Sequence, residues 1–339
     1  MIFKYSNLLS DKEAIVACDL FLSLRLYHLP TWLKECLKIS FPNVKIVPVN
    51  SPNAPLTIED ATVYWGNRIT PDIITNMPKL EWIHFGSVGV NRANIDEVMK
   101  RQLLITSSKG LVVSSMVGTA TAFITSLARG LHYSQMLRNQ GNMDRHSFDN
   151  YFDQIHELSN ENCLIVGFGD VGSRLAKVCK ALGMNIFAVR RSIKKDDLVD
   201  KFFTLEELSE AVTNMDYIVN LLPLNTETSQ VFSSRVFNQM KSSAFFINIG
   251  RGETVDERAL ILALKSKKIA GAGLDVFAKE PLSESSPLWG MKNVILSPHV
   301  GGLSKGYWDR QTDLFMHNLK LYLEGNQTMM RNIVDMHKE

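Results

Sequence analysis

Short apolar runs alternate along the chain with longer stretches whose apolar positions recur at helical spacing. Before residue 110 the strand-like runs fall at 44–47, 62–65, 82–85 and 103–106. Between the second and third, Thr70-Pro71-Asp72 predicts a helix start. It offers a capping hydroxyl, a proline whose missing N–H costs nothing in the first turn, and an acid near the positive end of the helix dipole. Residues 114–131 predict one long helix, and the polar stretch 132–160 predicts a loop or excursion. From 163 the pattern sharpens, with strand-like runs at 163–167, 185–189, 217–221, 244–248, 273–276 and 293–296. Helices are expected at 171–182, 257–266 and, last, 304–323.

This alternation predicts α/β layers on parallel sheets. The sharp unit sits in mid-chain, flanked by material for another. The simplest organisation is a domain of residues 108–302 inserted into a discontinuous domain made of 1–107 and 303–339, with a ligand cleft between them. A length of 339 residues, at about 150 per domain, suits two such units.

Charge excludes little but steers the reading. With 37 Lys plus Arg against 35 Asp plus Glu the net charge is +2, so nothing suggests nucleic acid or an anionic membrane as a partner. No apolar run approaches the ~20 residues of a spanning helix. The first twenty residues carry acids and no apolar core, unlike a signal peptide. Cys18, Cys36, Cys163 and Cys179 show no paired metal spacing, and no metal is expected. Free thiols without a targeting segment point to the cytoplasm.

Gly167-Phe168-Gly169-Asp170-Val171-Gly172 follows the apolar run Leu164-Ile165-Val166 and precedes an amphipathic helix. Its first glycine permits a tight turn, the second lets backbone approach a pyrophosphate, and the third lets helix and strand pack closely. The helix N-terminus then offers free N–H groups to phosphate. A site for NAD usually carries an acid after the next strand to bind the ribose 2′-hydroxyl. Here Arg190-Arg191-Ser192 stands there, two forked cations and a hydroxyl suited to a 2′-phosphate. The expected cofactor is NADPH, with NAD possible.

Three later strand ends carry chemistry. Arg251 follows Phe245-Phe246-Ile247-Asn248-Ile249-Gly250, Glu280 follows Leu274-Asp275-Val276-Phe277-Ala278-Lys279, and His299 follows Leu296-Ser297-Pro298. Ligands of open α/β sheets bind beyond the carboxyl ends of strands, so all three are candidates for one crevice. Reduction of a 2-oxo acid needs a proton at the carbonyl oxygen, which a histidine supplies near neutral pH. A carboxylate beside it orients the ring, and an arginine binds the substrate carboxylate.

These segments resemble the D-isomer-specific 2-hydroxyacid dehydrogenase family. The match runs almost end to end, from Trp82-Ile83-His84-Phe85-Gly86-Ser87-Val88-Gly89 to the closing helix. Leu221-Leu222-Pro223-Leu224-Asn225-Thr226-Glu227-Thr228 and Ser297-Pro298-His299-Val300-Gly301-Gly302 are among its specific pieces. The resemblance implies a Rossmann-type doubly wound parallel sheet inserted into a flavodoxin-like α/β domain. It implies that Arg251, Glu280 and His299 are the catalytic set, and that Ser87, Val88 and Gly89 offer backbone N–H groups to the substrate carboxylate, beside Arg251 and His299. It further implies that Leu222, Pro223, Thr228, Ile249 and Asp275 line the cofactor, and that the protein forms a homodimer. Arg190 in place of the family's usual acid resembles its NADPH-dependent glyoxylate and hydroxypyruvate reductases, which yield D-2-hydroxy acids. The alternative is a dinucleotide-sensing binding protein like the transcriptional corepressors that share this architecture and keep the Arg-Glu-His set.

Other groups read more plainly. His132, His146 and His156 have no ligand spacing and are expected on the solvated surface. Trp65, Tyr307 and Trp308 suit either a pocket wall or core packing.

Overall fold

The computed structural model describes residues 12–20, 30–48, 58–67, 70, 74–87, 95–192 and 196–335. The chain divides into two compact units, Met1–Val112 with Leu303–Glu339, and Val113–Gly302.

In the first unit five strands form one sheet: β1 (Ala14–Asp19), β2 (Val44–Pro48), β3 (Val63–Gly66), β4 (Trp82–Phe85) and β5 (Leu104–Ser107). Their order is β2-β1-β3-β4-β5 and every pairing is parallel, the flavodoxin-like arrangement. Sequence pattern misses β1, an inner strand, because its apolar run lies inside the N-terminal stretch read for a targeting signal. Val16, Cys18, Trp65 and Trp82 pack with Leu33, Phe315 and Leu319 of the helices Thr31–Ser40 and Tyr307–Leu323. Ala17, Tyr64, Ile83 and Phe85 form a second cluster with Met77 and Val98. Strands covered on both faces carry continuous apolar runs, which is why most of them are legible in the sequence.

Trp65 is core, fully buried and stacked on Phe315 with ring centroids 3.8 Å apart. Tyr307 and Trp308 are buried too, and Tyr307 Oη donates to the Gly86 carbonyl at 2.9 Å. Pro71 and Asp72 lie outside the described residues. Residues 108–112 stay with the first unit, where the sequence pattern drew the division after 107. Ser108 Oγ donates to the Phe85 carbonyl and Arg310 Nε to the Leu111 carbonyl, each at 2.7 Å.

The second unit holds β6 (Asn162–Val166), β7 (Asn185–Val189), β8 (Lys201–Phe203), β9 (Tyr217–Asn220), β10 (Phe245–Asn248), β11 (Gly271–Leu274) and β12 (Val294–Leu296). The order β12-β11-β10-β9-β6-β7-β8, parallel throughout, is that of a doubly wound dinucleotide-binding sheet with one added edge strand. Alternate residues serve opposite faces: Cys163 and Ile165 join Ala120, Ile124 and Leu175 in one cluster, Leu164 and Val166 join Phe232 and Leu260 in the other. β8 spans three residues at the sheet edge, too short to show a period. β11 begins two residues before its predicted start because Gly271 and Gly273 hide it from an apolar count. Gly273 is needed there, since a Cβ would lie 2.7 Å from Phe123 Cγ of the covering helix Val113–Ala128.

Of loop and excursion, the stretch 132–160 is the second, a folded excursion. The helix Val113–Ala128 ends before Gly130, whose φ of +62° turns the chain, and a second helix, Leu131–Asn139, and a 3₁₀ segment, Arg145–Gln154, follow. Tyr133 stacks on Tyr151 at 4.7 Å and meets Phe148 edge-on, so aromatic packing orders a segment of polar composition. Two of its histidines are accordingly half-buried. His132 packs against Tyr151, with its Nε2 3.1 Å from Tyr151 Oη, and burial pushes its pKa down. His156 Nδ1 sits 3.0 Å from Glu161 Oε1. His146 is exposed. No helix among the described residues is long and apolar enough to cross a membrane.

Candidate active site

Because the seven-stranded sheet is wholly parallel, all its strands end at one edge, and the sequence-predicted groups of this unit gather there. β6 runs into the glycine loop, β7 into Arg190, β9 into Leu222, β10 into Arg251, β11 into Asp275 and β12 into the turn that carries His299. Chain direction alternates sides between β6 and β9, the switch point at which such sheets bind ligands.

The glycine loop has the shape that its spacing predicts. Gly167 takes φ +103° and lies against Leu221 and Leu222, where a Cβ would come within 3.0 Å of backbone. A Cβ on Gly172 would lie 2.6 Å from the Gly167 carbonyl oxygen, so the third glycine closes helix onto strand. Gly169 differs: its Cβ would meet no atom within 4 Å. That open side faces out where the helix Asp170–Ala181 begins, with Asp170 exposed and Val171 half-buried. A helix N-terminus with free space beside it fits a pyrophosphate.

Arg190 is half-buried, its guanidinium 5.9 Å from the centroid of the Phe202 ring, and no carboxylate among the described residues pairs with it. Arg191 and Ser192 are exposed, and Arg191 Nη2 lies 3.8 Å from Glu227 Oε2. Leu222 and Ile249 bury their side chains in the core on opposite faces of the sheet. Pro223 is exposed, and buried Thr228 donates its hydroxyl to the Pro223 carbonyl at 2.6 Å, closing the loop after β9.

His299 Nδ1 lies 2.7 Å from Glu280 Oε2, and the other oxygen of Glu280 accepts the Phe277 N–H at 3.1 Å. An ionised carboxylate only accepts, so Nδ1 carries the proton and Nε2 is the nitrogen left for other work. The imidazole is about half exposed, hence reachable. Arg251 is exposed, donates from Nη1 to the Gly250 carbonyl at 2.7 Å and has no acidic partner among the described residues. Its neighbour Gly252 is pressed onto the segment leading to Glu280, where any Cβ would stand 1.9 Å from the Phe277 carbonyl. The structure thus joins Glu280 to His299 directly and Arg251 to Glu280 through backbone packing. Ser87 follows β4 in the first unit, its carbonyl accepting the Ser108 N–H at 3.0 Å; Val88 and Gly89 lie outside the described residues.

Two supporting groups escape sequence reasoning. Asn220, Asn248 and Thr254 form a buried network behind Arg251. Asn220 Nδ2 donates to Asn248 Oδ1 at 3.0 Å and to Thr254 Oγ1 at 2.7 Å, while Thr254 Oγ1 donates to the Arg251 carbonyl at 2.6 Å. The signal available was polar residues ending two neighbouring apolar strands. Asp275, expected to line a cofactor, is buried and grips the His299 turn. Its carbonyl accepts the His299 N–H at 2.7 Å, and its carboxylate accepts from Ser297 Oγ, Val300 N and Gly301 N. These bonds hold His299 at φ +54°, an uncommon conformation for a non-glycine residue.

Such an arrangement defines a class: a two-unit α/β protein with a dinucleotide-binding sheet and a histidine–carboxylate pair at its carboxyl edge. The family model for the NAD binding domain of D-isomer specific 2-hydroxyacid dehydrogenases matches residues 121–301, just over half of the chain. A glyoxylate reductase of Thermococcus gammatolerans is 31% identical over 76% of this chain and 78% of its own. Glyoxylate/hydroxypyruvate reductase B of Escherichia coli is 33% identical over 68% and 70%. Among solved structures, a D-isomer specific 2-hydroxyacid dehydrogenase family protein of Aeromonas salmonicida superposes with a TM-score of 0.78 at 26% identity, covering 96% of this chain and 99% of that one. An NADPH-dependent glyoxylate/hydroxypyruvate reductase of Sinorhizobium meliloti, bound to NADP and sulfate, shares the fold with a TM-score of 0.76 at 22% identity, over 95% and 98%. The chain belongs to the D-isomer-specific 2-hydroxyacid dehydrogenase family and is an oxidoreductase.

Proposed function

We propose that this protein reduces a small 2-oxo acid, of the glyoxylate or hydroxypyruvate kind, to the D-2-hydroxy acid, and prefers NADPH to NADH. The carrying observation is the 2.7 Å pair between His299 and Glu280 at the sheet edge that also bears the glycine loop. Relatives named as glyoxylate reductases support the substrate class.

A bound reduced nicotinamide supplies the hydride that attacks the carbonyl carbon. His299 delivers a proton from Nε2 to the carbonyl oxygen as negative charge develops there. Glu280 accepts the Nδ1–H, holds the ring in one orientation and stabilises the imidazolium before transfer. Arg251 anchors the substrate carboxylate through its forked donors, drawing the carbonyl toward Nε2. Arg190, Arg191 and Ser192 bind the 2′-phosphate. The Arg191–Glu227 pair is a surface ion pair and exchanges readily for that dianion. Four free, buried cysteines suit the reducing cytoplasm. The homodimer forms through the segment from Leu131 to Phe152, where Leu131, Met143 and Phe152 expose apolar surface.

A panel of 2-oxo acids assayed with NADPH and NADH tests the reading. Turnover is expected with glyoxylate or hydroxypyruvate, faster with NADPH, and His299→Ala is expected to lower kcat by about 10² to 10⁴. Dinucleotide binding without turnover of any 2-oxo acid contradicts it and favours a dinucleotide sensor.

A further inference from the structure

The catalytic histidine borders a cavity that the reduction of glyoxylate does not need. The cavity measures about 270 Å³; Glu280, Ser297 and His299 form its polar part, and the remaining wall is apolar. That wall consists of Phe277, Pro281, Leu282, Trp289, Leu296 and Pro298. Trp289 is its unusual member. The indole is 60% exposed, yet its N–H donates to the Ser283 carbonyl at 2.9 Å and fixes the ring. It stands on a 3₁₀ turn, Pro287–Gly290, anchored by the buried Leu288 and by the Ser286 hydroxyl, which accepts the Leu288 N–H. A pinned, wet aromatic surface beside a proton donor is surface that a ligand gains by covering.

We propose that this cavity is a side-chain subsite, and that the preferred substrates are 2-oxo acids with a branched aliphatic or aromatic side chain. The proposal rests on the reductase reading and extends its substrates beyond glyoxylate and hydroxypyruvate to larger 2-oxo acids, which become the preferred ones. His299 shares the lining of this cavity with Leu282 and Trp289, so a side chain on the carbonyl carbon of an acid held at His299 has that wall within reach. Each methylene that leaves water there adds about fourfold to binding. Glyoxylate, which carries only hydrogen at that position, gains none of this.

The test compares kcat/KM for glyoxylate, 4-methyl-2-oxopentanoate and phenylpyruvate, with NADPH, in the native protein and in Trp289→Ala. Leu282→Ser serves as the second variant, and thermal melting checks that both fold. The apolar acids are expected to exceed glyoxylate by about tenfold or more. Trp289→Ala is expected to lower phenylpyruvate by about tenfold while glyoxylate stays within about twofold. Glyoxylate outpacing both apolar acids, or an equal loss on every acid in the variants, overturns the subsite and leaves the reductase standing. No turnover of any acid overturns both.

Discussion

The carboxylate of Asp275 accepts the backbone N–H of Gly301 at 2.8 Å, so close that a Cβ on Gly301 would stand 2.6 Å from the same oxygen. One acid at the end of β11 therefore holds the turn after β12. His299 inherits its position from that hold.

Asp275→Asn replaces an acceptor oxygen with an amide donor that opposes the N–H groups of the turn. The imidazole shifts, and misplacement on the scale of 1 Å costs about 10² in rate. The expected result is kcat lowered about 10²-fold with KM for NADPH little changed. A large rise in KM for NADPH with kcat intact shows instead that Asp275 acts on the cofactor.

Thr254→Val removes the hydroxyl that links Asn220 to the Arg251 carbonyl. Leaving these buried groups unpaired costs about 1–3 kcal/mol of stability. The freed Arg251 is expected to raise KM for the 2-oxo acid about tenfold, and Thr254→Ser is expected to restore it. A stability loss without any change in KM confines the network to a structural role.

Arg190→Asp exchanges attraction to a 2′-phosphate for repulsion. Like charges brought together cost several kcal/mol, so the ratio of kcat/KM for NADPH over NADH is expected to fall about 10²-fold or more. An unchanged ratio removes the basic pair from cofactor choice.

His84 sets a pH dependence in the first unit. It is fully buried beside Trp65, Trp82 and Phe315, and burial pushes its pKa from 6.5 down to about 3. Between those values the unfolded chain binds a proton that the folded chain refuses, so stability falls as pH drops through that window. The loss is about 1.4 kcal/mol per pH unit, or about 2 kcal/mol by pH 5. Denaturant unfolding from pH 7 to 5 measures it, and His84→Phe is expected to flatten the slope even if it lowers stability at pH 7. Equal slopes in both proteins refute the assignment.

How much of this was legible depends on how local each signal is. Strands such as β4 and β7 appear with their observed limits because burial on both faces makes most of their residues apolar. The glycine loop is legible because its fixed spacing places Gly167 and Gly172 at close backbone contacts and leaves open space beside Gly169. β8 and the start of β11 are not, since an edge strand of three residues and a strand of small residues carry no period. The segment from Leu131 to Gln154 misleads for another reason: its polar composition hides three aromatic rings that order it by meeting one another.

Local chemistry along the chain determined the parallel α/β class, the dinucleotide loop, and the arginine, glutamate and histidine at the ends of strands. Tertiary structure alone decided that Glu280 meets His299, that Asp275 grips the turn after β12, and that three polar residues support Arg251. It also decided that Trp65 belongs to the core while Trp289 stays wet beside a cavity. Residue type and spacing are properties of a few neighbouring positions. Partnership between side chains depends on strand order and register, which bring together groups far apart in the chain.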